Sequence, residues 1–363
     1  MGALTTLSSP KLIKPTILNQ FPPNKIPSLQ FNPPPSTKPT NLFSSSALKS
    51  SNDAVPPLVV VGSANADIYV EIDRLPKVGE TISAKSGQAL AGGKGANQAV
   101  CGAKLEYPTY FLGQVGKDAN GKLITEALEG GGVFLDHLST VSDAPTGHAV
   151  VMLQGDGQNS IIIVGGANME CWPESLGEED LEVVRNAGIV LLQREIPDKV
   201  NVQVAKAARS AHVPVILDAG GVDSPIPPEL LNVIDILSPN ETELARLTNM
   251  PTESFEQISQ AVGKCLKMGV KQVLVKLGHR GSVLFTQGEE PIRQSIISAP
   301  AVVDTTGAGD TFTAAFAVAL VEGKSKKECL RFAAAAASLC VQVKGAIPGM
   351  PDRESVLDLL QAV

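Results

Sequence analysis

Hydrophobic and polar residues follow two alternating patterns from about Leu58 to the end of the chain. Short runs of consecutive aliphatic residues predict strands, and the stretches between them have a helical period, as in KVNVQVAKAARSA (199–211) and SFEQISQAVGKCLKMG (254–269). The strand-like runs are LVVVG (58–62), TYFLGQVG (109–116), GIVLLQ (188–193), VPVILDAG (213–220), VIDILSPN (233–240) and QVLVKLG (272–278). Such alternation is typical of a mostly parallel sheet with helices on both faces.

Two regions break this alternation. Residues 67–90 and 146–168 show a period of two with glycine-containing turns and no helical stretch between their strands. We interpret them as one small antiparallel sheet, a β lid built from about residues 66–90 and 146–166. Because no helix covers its apolar face, the substrate, the main domain or a second subunit must do so. We expect a lid that is also the contact surface of a homodimer.

Residues 1–52 differ from the rest in composition. They contain no Asp or Glu and five Lys, and they are rich in Ser, Thr and Pro. Such a segment cannot bury a core, so we expect it to be disordered, and its composition is typical of a transit peptide. The absence of Arg favours the chloroplast stroma over the mitochondrion, and a merely disordered tail is the alternative. The folded domain is expected over residues 53–363.

Charge and cysteine usage limit the classes of partner. Beyond residue 52 there are 25 basic and 37 acidic side chains. An acidic surface argues against nucleic acid or an anionic membrane as the main partner. No apolar run approaches the ~18 residues of a membrane span. The five cysteines are scattered and form no CxxC pair, which predicts neither a disulfide framework nor a zinc site.

The segment GKDANGKL, residues 116–123, begins like a phosphate-binding Walker A loop. That loop needs a Ser or Thr hydroxyl for Mg²⁺ at the position occupied here by Leu123. The segment therefore predicts an ordinary turn from a strand into a helix.

The segment VVDTTGAGDTFTAAF, residues 302–316, predicts a phosphate site. Gly307 and Gly309 allow a tight turn with several N–H groups on one side, and the helix that follows attracts anions at its N-terminus. Such a nest suits the negative charge of a phosphoryl group in transfer. Asp310 would repel that anion, so its presence there is unfavourable unless it has a function. A general base that accepts a hydroxyl proton would be such a function. A helix cap is the alternative role for Asp310.

A second polar cluster could bind hydroxyl groups. LAGGKGANQAV, residues 90–100, places Lys94 and Asn97 among glycines, and Asn65 and Asp67 follow the first strand in GSANAD. Taken alone, a glycine-rich segment is more often an ordinary loop, and an Asn or Asp after a strand is more often part of a turn. Together they predict a hydroxyl-binding surface beside a phosphate nest.

NADIYVEIDRLPKVGET, AGGKGANQAV and DTTGAGDTF resemble, in their order and spacing, the PfkB carbohydrate kinase family, and the resemblance extends from about Leu58 to the C-terminus. GGKGANQA is similar to the form in the ribose-phosphorylating members. The resemblance implies a ribokinase-like three-layer α/β/α fold with a mostly parallel central sheet plus the small antiparallel β lid. It also implies ATP-dependent phosphorylation of D-ribose at O5. Phosphorylation of fructose or adenosine is one alternative, and a non-catalytic component of a plastid assembly is another.

The resemblance also implies residue roles. Asp310 is the catalytic base, and Gly307, Ala308 and Gly309 form the anion hole. The implied ribose-binding residues are Asn65, Ala66, Asp67, Gly93, Lys94, Gly95, Ala96, Asn97, Glu195 and Asp310. The implied ATP-binding residues are Asn240, Lys276, Leu277, Gly278, His279, Arg280, Gly281, Gly309 and Asp310. Structural alternatives are a helix cap for Asn240 and a salt bridge for Glu195.

Two cation sites are implied by the same resemblance. Glu243 of NETE would organise Mg²⁺ and the phosphates, largely through water. The implied K⁺ ligands are Asp304, Thr306, Cys340, Val343, Gly345 and Gly349, mostly through carbonyl oxygens. Gly349 replaces a Ser that is common in the family, and Ala334 stands where a polar residue often meets the adenosine.

Overall fold

The computed structural model describes residues 55–154 and 159–363, and the segment predicted as a transit peptide, residues 1–52, lies outside them. The strands of the described residues are β1 (Leu58–Val61), β2 (Asn65–Ile72), β3 (Ser86–Gly92), β4 (Thr109–Gly116), β5 (Leu138–Val141), β6 (His148–Gln154), β7 (Asn159–Val164), β8 (Ile189–Arg194), β9 (Val215–Gly221), β10 (Ile236–Ser238), β11 (Gln272–Lys276), β12 (Ser282–Thr286) and β13 (Ile292–Gln294). The helices of the described residues are α1 (Lys94–Lys104), α2 (Ala119–Gly130), α3 (Glu178–Arg185), α4 (Asp198–Ser210), α5 (Pro228–Leu231), α6 (Glu241–Thr248), α7 (Phe255–Lys267), α8 (Ala308–Val321), α9 (Lys326–Cys340), α10 (Ala346–Gly349) and α11 (Arg353–Ala362).

The large sheet has the strand order β13-β12-β11-β10-β9-β8-β1-β4-β5 within the described residues. It is parallel from β5 to β11, and β12 and β13 form an antiparallel edge that the sequence patterns did not indicate. In the interior strand β1, Leu58 and Val60 pack into one hydrophobic core, and Val59 and Val61 pack into another. Both faces of the sheet are therefore covered, which is why its strands are continuous apolar runs. The predicted parallel α/β architecture is confirmed.

The predicted small sheet is present, with the order β3-β2-β6-β7 in the described residues. The β2–β3 and β6–β7 pairs are antiparallel as expected, whereas β2 and β6, where the two insertions meet, run parallel. This pairing arises because β2 follows β1 and β6 follows β5, so both insertions leave the same carboxyl edge of the large sheet and run outwards together. The small sheet therefore rises from the edge at which ligands bind in α/β folds.

The segment GKDANGKL is an ordinary turn from β4 into α2, as predicted. The Asp118 carboxylate caps α2 by accepting the Gly121 N–H at 2.8 Å, so a protein anion already occupies this helix N-terminus. Asp118 also accepts the N–H of Thr146 at 2.8 Å, next to the start of β6. Among the described residues, no helix combines the length and hydrophobicity that crossing a bilayer requires.

Candidate active site

Asp310 lies in the first turn of α8, and its side chain is almost fully buried, with 6% relative exposure. The amide of Asn97 donates to its Oδ2 at 2.9 Å, and the amide of Gln98 donates to its Oδ1 at 3.2 Å. The N-cap position of α8 is held by Gly307, at φ +78°, without a side-chain cap. The helix-cap alternative for Asp310 is therefore wrong, because its carboxylate is oriented by side chains of α1 instead.

The N-terminus of α8 provides donors for an anion hole, but the Ala308 N–H, one of the three expected with those of Gly307 and Gly309, is already engaged. The first N–H groups of an α-helix have no partner inside the helix. The Ala308 N–H donates to the Thr305 carbonyl at 3.2 Å, whereas no acceptor is found within the described residues for the N–H groups of Gly309 and Asp310. An anion placed beside Asp310 can therefore accept hydrogen bonds from these two groups.

A chain of alternating charges leads away from Asp310. Lys94 Nζ lies 3.6 Å from Asp310 Oδ1 and 3.4 Å from Oδ1 of Asp218, a fully buried residue on β9. Burial alone would lower the pKa of Lys94, but the carboxylates around it, Asp218 foremost, raise that pKa well above its ordinary value. Lys276 Nζ contacts the other oxygen of Asp218 at 2.6 Å. Asp218 was not singled out in the sequence, although it lies at the carboxyl end of the strand run VPVILDAG.

Asn65 and Asp67 lie at the start of β2. Burial, followed by the charges of Glu195 and Asp310, raises the pKa of Asp67 to about 7. Gly93, at φ +91°, leaves no room for a side chain, since a Cβ there would lie 2.7 Å from the Asn65 nitrogen. The glycine thereby brings the start of α1, and with it Lys94 and Asn97, against the first residues of β2.

Glu195 follows β8 and faces the same region. Its carboxylate accepts hydrogen bonds from the Ser63 hydroxyl and, at 3.2 Å, from the Lys94 N–H. Burial raises the pKa of Glu195, and the nearby Lys94 charge opposes that rise. No ion pair within 4.0 Å involves Glu195 in the described residues, so the salt-bridge alternative is wrong.

Asn168, which is 2% exposed, fixes the side chain of Asn65 and was missed as a site residue. Its Oδ1 accepts the Ala64 N–H at 2.9 Å, and its Nδ2 donates to the Ala64 carbonyl at 3.0 Å and to Asn65 Oδ1 at 2.7 Å. The Ala64 N–H can only donate, so the Asn168 atom that faces it must be the oxygen. The Asn168 NH₂ group then faces Asn65, whose oxygen must accept from it. The NH₂ group of Asn65 is thereby the part left for a ligand.

The expected nucleotide residues lie at the ends of β10 and β11. Asn240 and Glu243 form a capping box on α6, with Asn240 Oδ1 accepting the Glu243 N–H at 2.8 Å and Glu243 Oε2 accepting the Asn240 N–H at 2.8 Å. The structural alternative for Asn240 is therefore confirmed, because this residue caps α6. The other Glu243 oxygen, Oε1, lies 2.8 Å from where a Cβ on Gly220 would be, on the Lys94 side.

The loop after β11 presents backbone rather than long side chains. Gly278–Arg280 forms a 3₁₀ turn, and Gly281 has φ +89°. Arg280 contacts Glu241 and the Glu253 carbonyl, and His279 is exposed. Ala334, in α9, is nearly buried. That the backbone of this loop carries much of the nucleotide contact stays a prediction.

The residues expected to hold K⁺ come together beside the start of α8. Asp304 accepts the Thr306 N–H at 2.9 Å and the Gly345 N–H at 2.8 Å, which ties two loops together. A Cβ on Gly349 would lie 2.9 Å from the Cys340 carbonyl oxygen and 3.6 Å from that of Val343. Backbone oxygens therefore converge here, and oxygen donors suit a hard cation.

A scan against family models matches residues 56–353 to the pfkB family of carbohydrate kinases. The chain belongs to this family. Over 316 residues it is 77% identical to a ribokinase of Arabidopsis thaliana, covering 86% of this chain and 83% of that one. It is 38% identical to the ribokinase of Bacillus subtilis over 84% of this chain and 99% of the other.

A solved structure of Arabidopsis thaliana ribokinase complexed with ribose and ATP matches this pfkB-family chain with a TM-score of 0.83 and 77% identity. The match covers 85% of this chain and 99% of that one. The resemblance to the PfkB family and the ribokinase-like fold inferred from the motifs are confirmed.

Proposed function

We propose that this pfkB-family kinase transfers the γ-phosphoryl group of ATP to O5 of D-ribose, giving D-ribose 5-phosphate and ADP. The observation that carries the proposal is the Asp310 carboxylate, which is buried, oriented by two amides and adjacent to unpaired N–H groups of α8. The similarity to a ribokinase with ribose and ATP bound supports the choice of both substrates.

The reaction follows from this arrangement. Asp310 accepts the proton of the sugar hydroxyl as O5 attacks the γ-phosphorus, and the bond from that phosphorus to the β–γ bridging oxygen breaks. The bond electrons leave with ADP. The N–H groups of Gly309 and Asp310 stabilise the negative charge of the group in transfer. Asn97 and Gln98 fix the carboxylate, so no reorganisation is needed at the moment of transfer.

Ribose is bound by groups of complementary hydrogen-bonding character. Asp67 and Glu195 offer acceptors, whereas Lys94, Asn97 and the Asn65 NH₂ group offer donors. Lys94 is paired with Asp218 and Asp310, between the residues proposed to bind the sugar and the N-terminus of α8 proposed to bind the phosphate. A small polyol can therefore be held with its primary hydroxyl directed at Asp310.

The residues present fit both cations of the proposal. Among the described residues, no group of three or more His, Cys, Asp or Glu could hold a metal. Mg²⁺ needs no such cage, because one or two carboxylates together with substrate phosphates suffice, and Glu243 has one oxygen outside its capping box. When bound, Mg²⁺ would neutralise phosphate charge. K⁺ would lie among the carbonyl oxygens around Gly349 and support the loop that leads into α8.

We further propose a homodimer formed through the small sheet. Ile161, Ile162 and Ile163 on β7 are 54%, 56% and 66% exposed, an unusual run of three large apolar side chains on one edge strand. Exposed apolar strand edges are normally covered in soluble proteins. A second copy of the same sheet supplies matching apolar surface.

Residues 1–52 are proposed to direct the chain to the chloroplast stroma. The support is their composition, which is Ser-rich, free of acidic residues and without Arg. Expression of residues 1–52 fused to a fluorescent protein in plant cells tests this proposal. Fluorescence confined to mitochondria or spread through the cytosol would contradict it.

The proposed function is tested with the purified full-length chain, ATP, Mg²⁺ and D-ribose. Formation of ADP together with ribose 5-phosphate, identified by ³¹P NMR spectroscopy, is the expected result. Fructose and adenosine are assayed in parallel, and a higher kcat/KM for either would contradict the assignment of ribose.

A further inference from the structure

The buried carboxylate of Asp218 contacts two lysines, although one positive charge is enough to neutralise it. Lys276 Nζ lies 2.6 Å from Oδ2, and Lys94 Nζ lies 3.4 Å from Oδ1. The N–H of Gly220 donates to it at 3.1 Å, and the Thr313 hydroxyl, whose one hydrogen is shared with the Gly309 carbonyl at 3.0 Å, lies 3.1 Å from Oδ2. A buried charge needs a partner, but one lysine and the backbone hydrogen bond already meet that need. The second lysine calls for another explanation.

The position of Lys276 supplies that explanation. It is the last residue of β11, and its ammonium group reaches the first turns of α8, where Thr313 Oγ1 lies 3.3 Å from Nζ. A Cβ built on Gly309 would lie 4.0 Å from the same nitrogen. An ammonium group has three hydrogens, and the acceptors found for Lys276 among the described side chains are Asp218 and Thr313. One N–H therefore remains for an anion at the N-terminus of α8.

We propose that the side chain of Lys276, held in place by Asp218, binds the γ-phosphoryl group of ATP during its transfer. Lys276 is then a catalytic residue, and Asp218 is a positioning residue that acts through it. This inference rests on the proposed function and extends it, since the resemblance implied Lys276 as an ATP-binding residue of the loop 276–281 without assigning its side chain to a particular phosphate. The ammonium group of Lys276 offsets charge on the transferring oxygens as the bond to O5 forms and the bond to ADP breaks.

The experiment uses full-length variants Lys276→Met, Asp218→Asn and the double variant, in which the buried pair becomes neutral. Binding of ADP and of adenosine 5′-(β,γ-imido)triphosphate is measured by calorimetry with Mg²⁺, and turnover and thermal unfolding are measured alongside. The control is Lys271→Met, which removes a lysine paired with Asp235 at 2.9 Å just before the same strand, on the exposed surface. That control is expected to bind both nucleotides and turn over like the wild type.

We expect Lys276→Met to weaken binding of the triphosphate analogue about 10- to 100-fold, the range of a hydrogen bond to a charged group, and to change ADP binding much less. The double variant, in which residue 218 is neutral as well, is expected to recover neither analogue affinity nor turnover. This result separates phosphate binding from neutralisation of Asp218.

Two results would overturn the inference. Recovery of both analogue affinity and turnover in the double variant would mean that Lys276 only neutralises Asp218. Equal weakening of ADP and the analogue would remove the γ-phosphoryl assignment. Failure of the wild type to phosphorylate any sugar would end the proposed function instead, and the nucleotide-binding comparison would still test Lys276.

Discussion

The side-chain amide of Asn168 donates a hydrogen bond to Oδ1 of Asn65 across 2.7 Å. Since the Ala64 N–H fixes Asn168, this contact turns the NH₂ group of Asn65 towards the sugar side. One buried residue thus decides whether the site offers a donor or an acceptor at this position.

Asn168→Asp tests this polarity. An Asp can still accept from the Ala64 N–H, but its second oxygen would face the Ala64 carbonyl and Asn65 Oδ1, so the Asn65 amide should reverse. We expect KM for ribose to rise about 10-fold or more, the cost of mismatched polar groups, with KM for ATP almost unchanged. Steady-state kinetics measures both values, and an equal rise in the two would indicate a general structural defect instead.

Asp310→Asn removes the proposed base with little change in shape. Turnover should fall by about two to four orders of magnitude, the scale of general-base catalysis. Ribose affinity, measured by calorimetry, should persist because Asn65, Asp67 and Lys94 are intact. Turnover within a factor of about three of the wild type would exclude Asp310 as the base.

Asp67 should make the sugar-free protein lose stability as the pH rises. Its pKa lies at about 7 in the folded protein against an ordinary 3.8, so between these values the folded state holds more protons than the unfolded state. The stabilising contribution is complete below about pH 4 and is lost as the pH rises to 7. Thermal unfolding is measured from pH 4 to 8. The stability of Asp67→Asn relative to that of the wild type should rise with pH up to about pH 7 and stay constant above it.

The control for this prediction is Asp143→Asn, which changes an exposed aspartate. Its difference from the wild type should not follow the same rise. A flat difference for Asp67→Asn across the whole range would contradict the proposed protonation of this half-buried carboxyl.

Gly349→Ala should weaken activation by K⁺. The added methyl group would lie 2.9 Å from the Cys340 carbonyl oxygen, and moving that oxygen would disturb the backbone oxygens proposed to hold K⁺. Activity is titrated with KCl at constant ionic strength, and the half-activating concentration is expected to rise several-fold. Gly263→Ala, in α7 with no atom within 4 Å of the new methyl group, is the matched control and should leave the titration unchanged.

Ile163→Lys should dissociate the proposed dimer. It places a charge on a side chain that is 66% exposed on β7 and would be buried between subunits. Sedimentation equilibrium should show a monomer for this variant and a dimer for the wild type. Val78→Lys, at another exposed apolar position outside β7, should remain dimeric, and an unchanged mass for Ile163→Lys would place the contact elsewhere.

The strands and the two glycine-rich segments could be predicted because their signals are local. Continuous apolar runs such as that of β1 reflect burial on both faces, and Gly93 and Gly307 occupy positive φ where other residues would be strained. Asp310 stood out because a carboxylate beside an anion nest is unfavourable without a function.

Asp218 and Asn168 could not be found in the same way. Their partners are distant in sequence: Asp218 meets Lys94 and Lys276, and Asn168 meets Asn65. Only the folded sheet brings these groups together. The direction of the Lys276 side chain is likewise set by Asp218 and Thr313, which are distant from it in sequence, so the sequence indicated only a nucleotide loop in which the backbone does much of the work.

The helix α8 has consequences for how the reaction can proceed. Behind Asp310 it is buried for nearly three turns, and its small side chains allow close packing against α1 and α9. The proposed base is thus anchored in a buried, closely packed helix, which holds it in place. We therefore expect the acceptor hydroxyl to be brought to a stationary carboxylate, so that the rate of transfer depends on how accurately the sugar is seated.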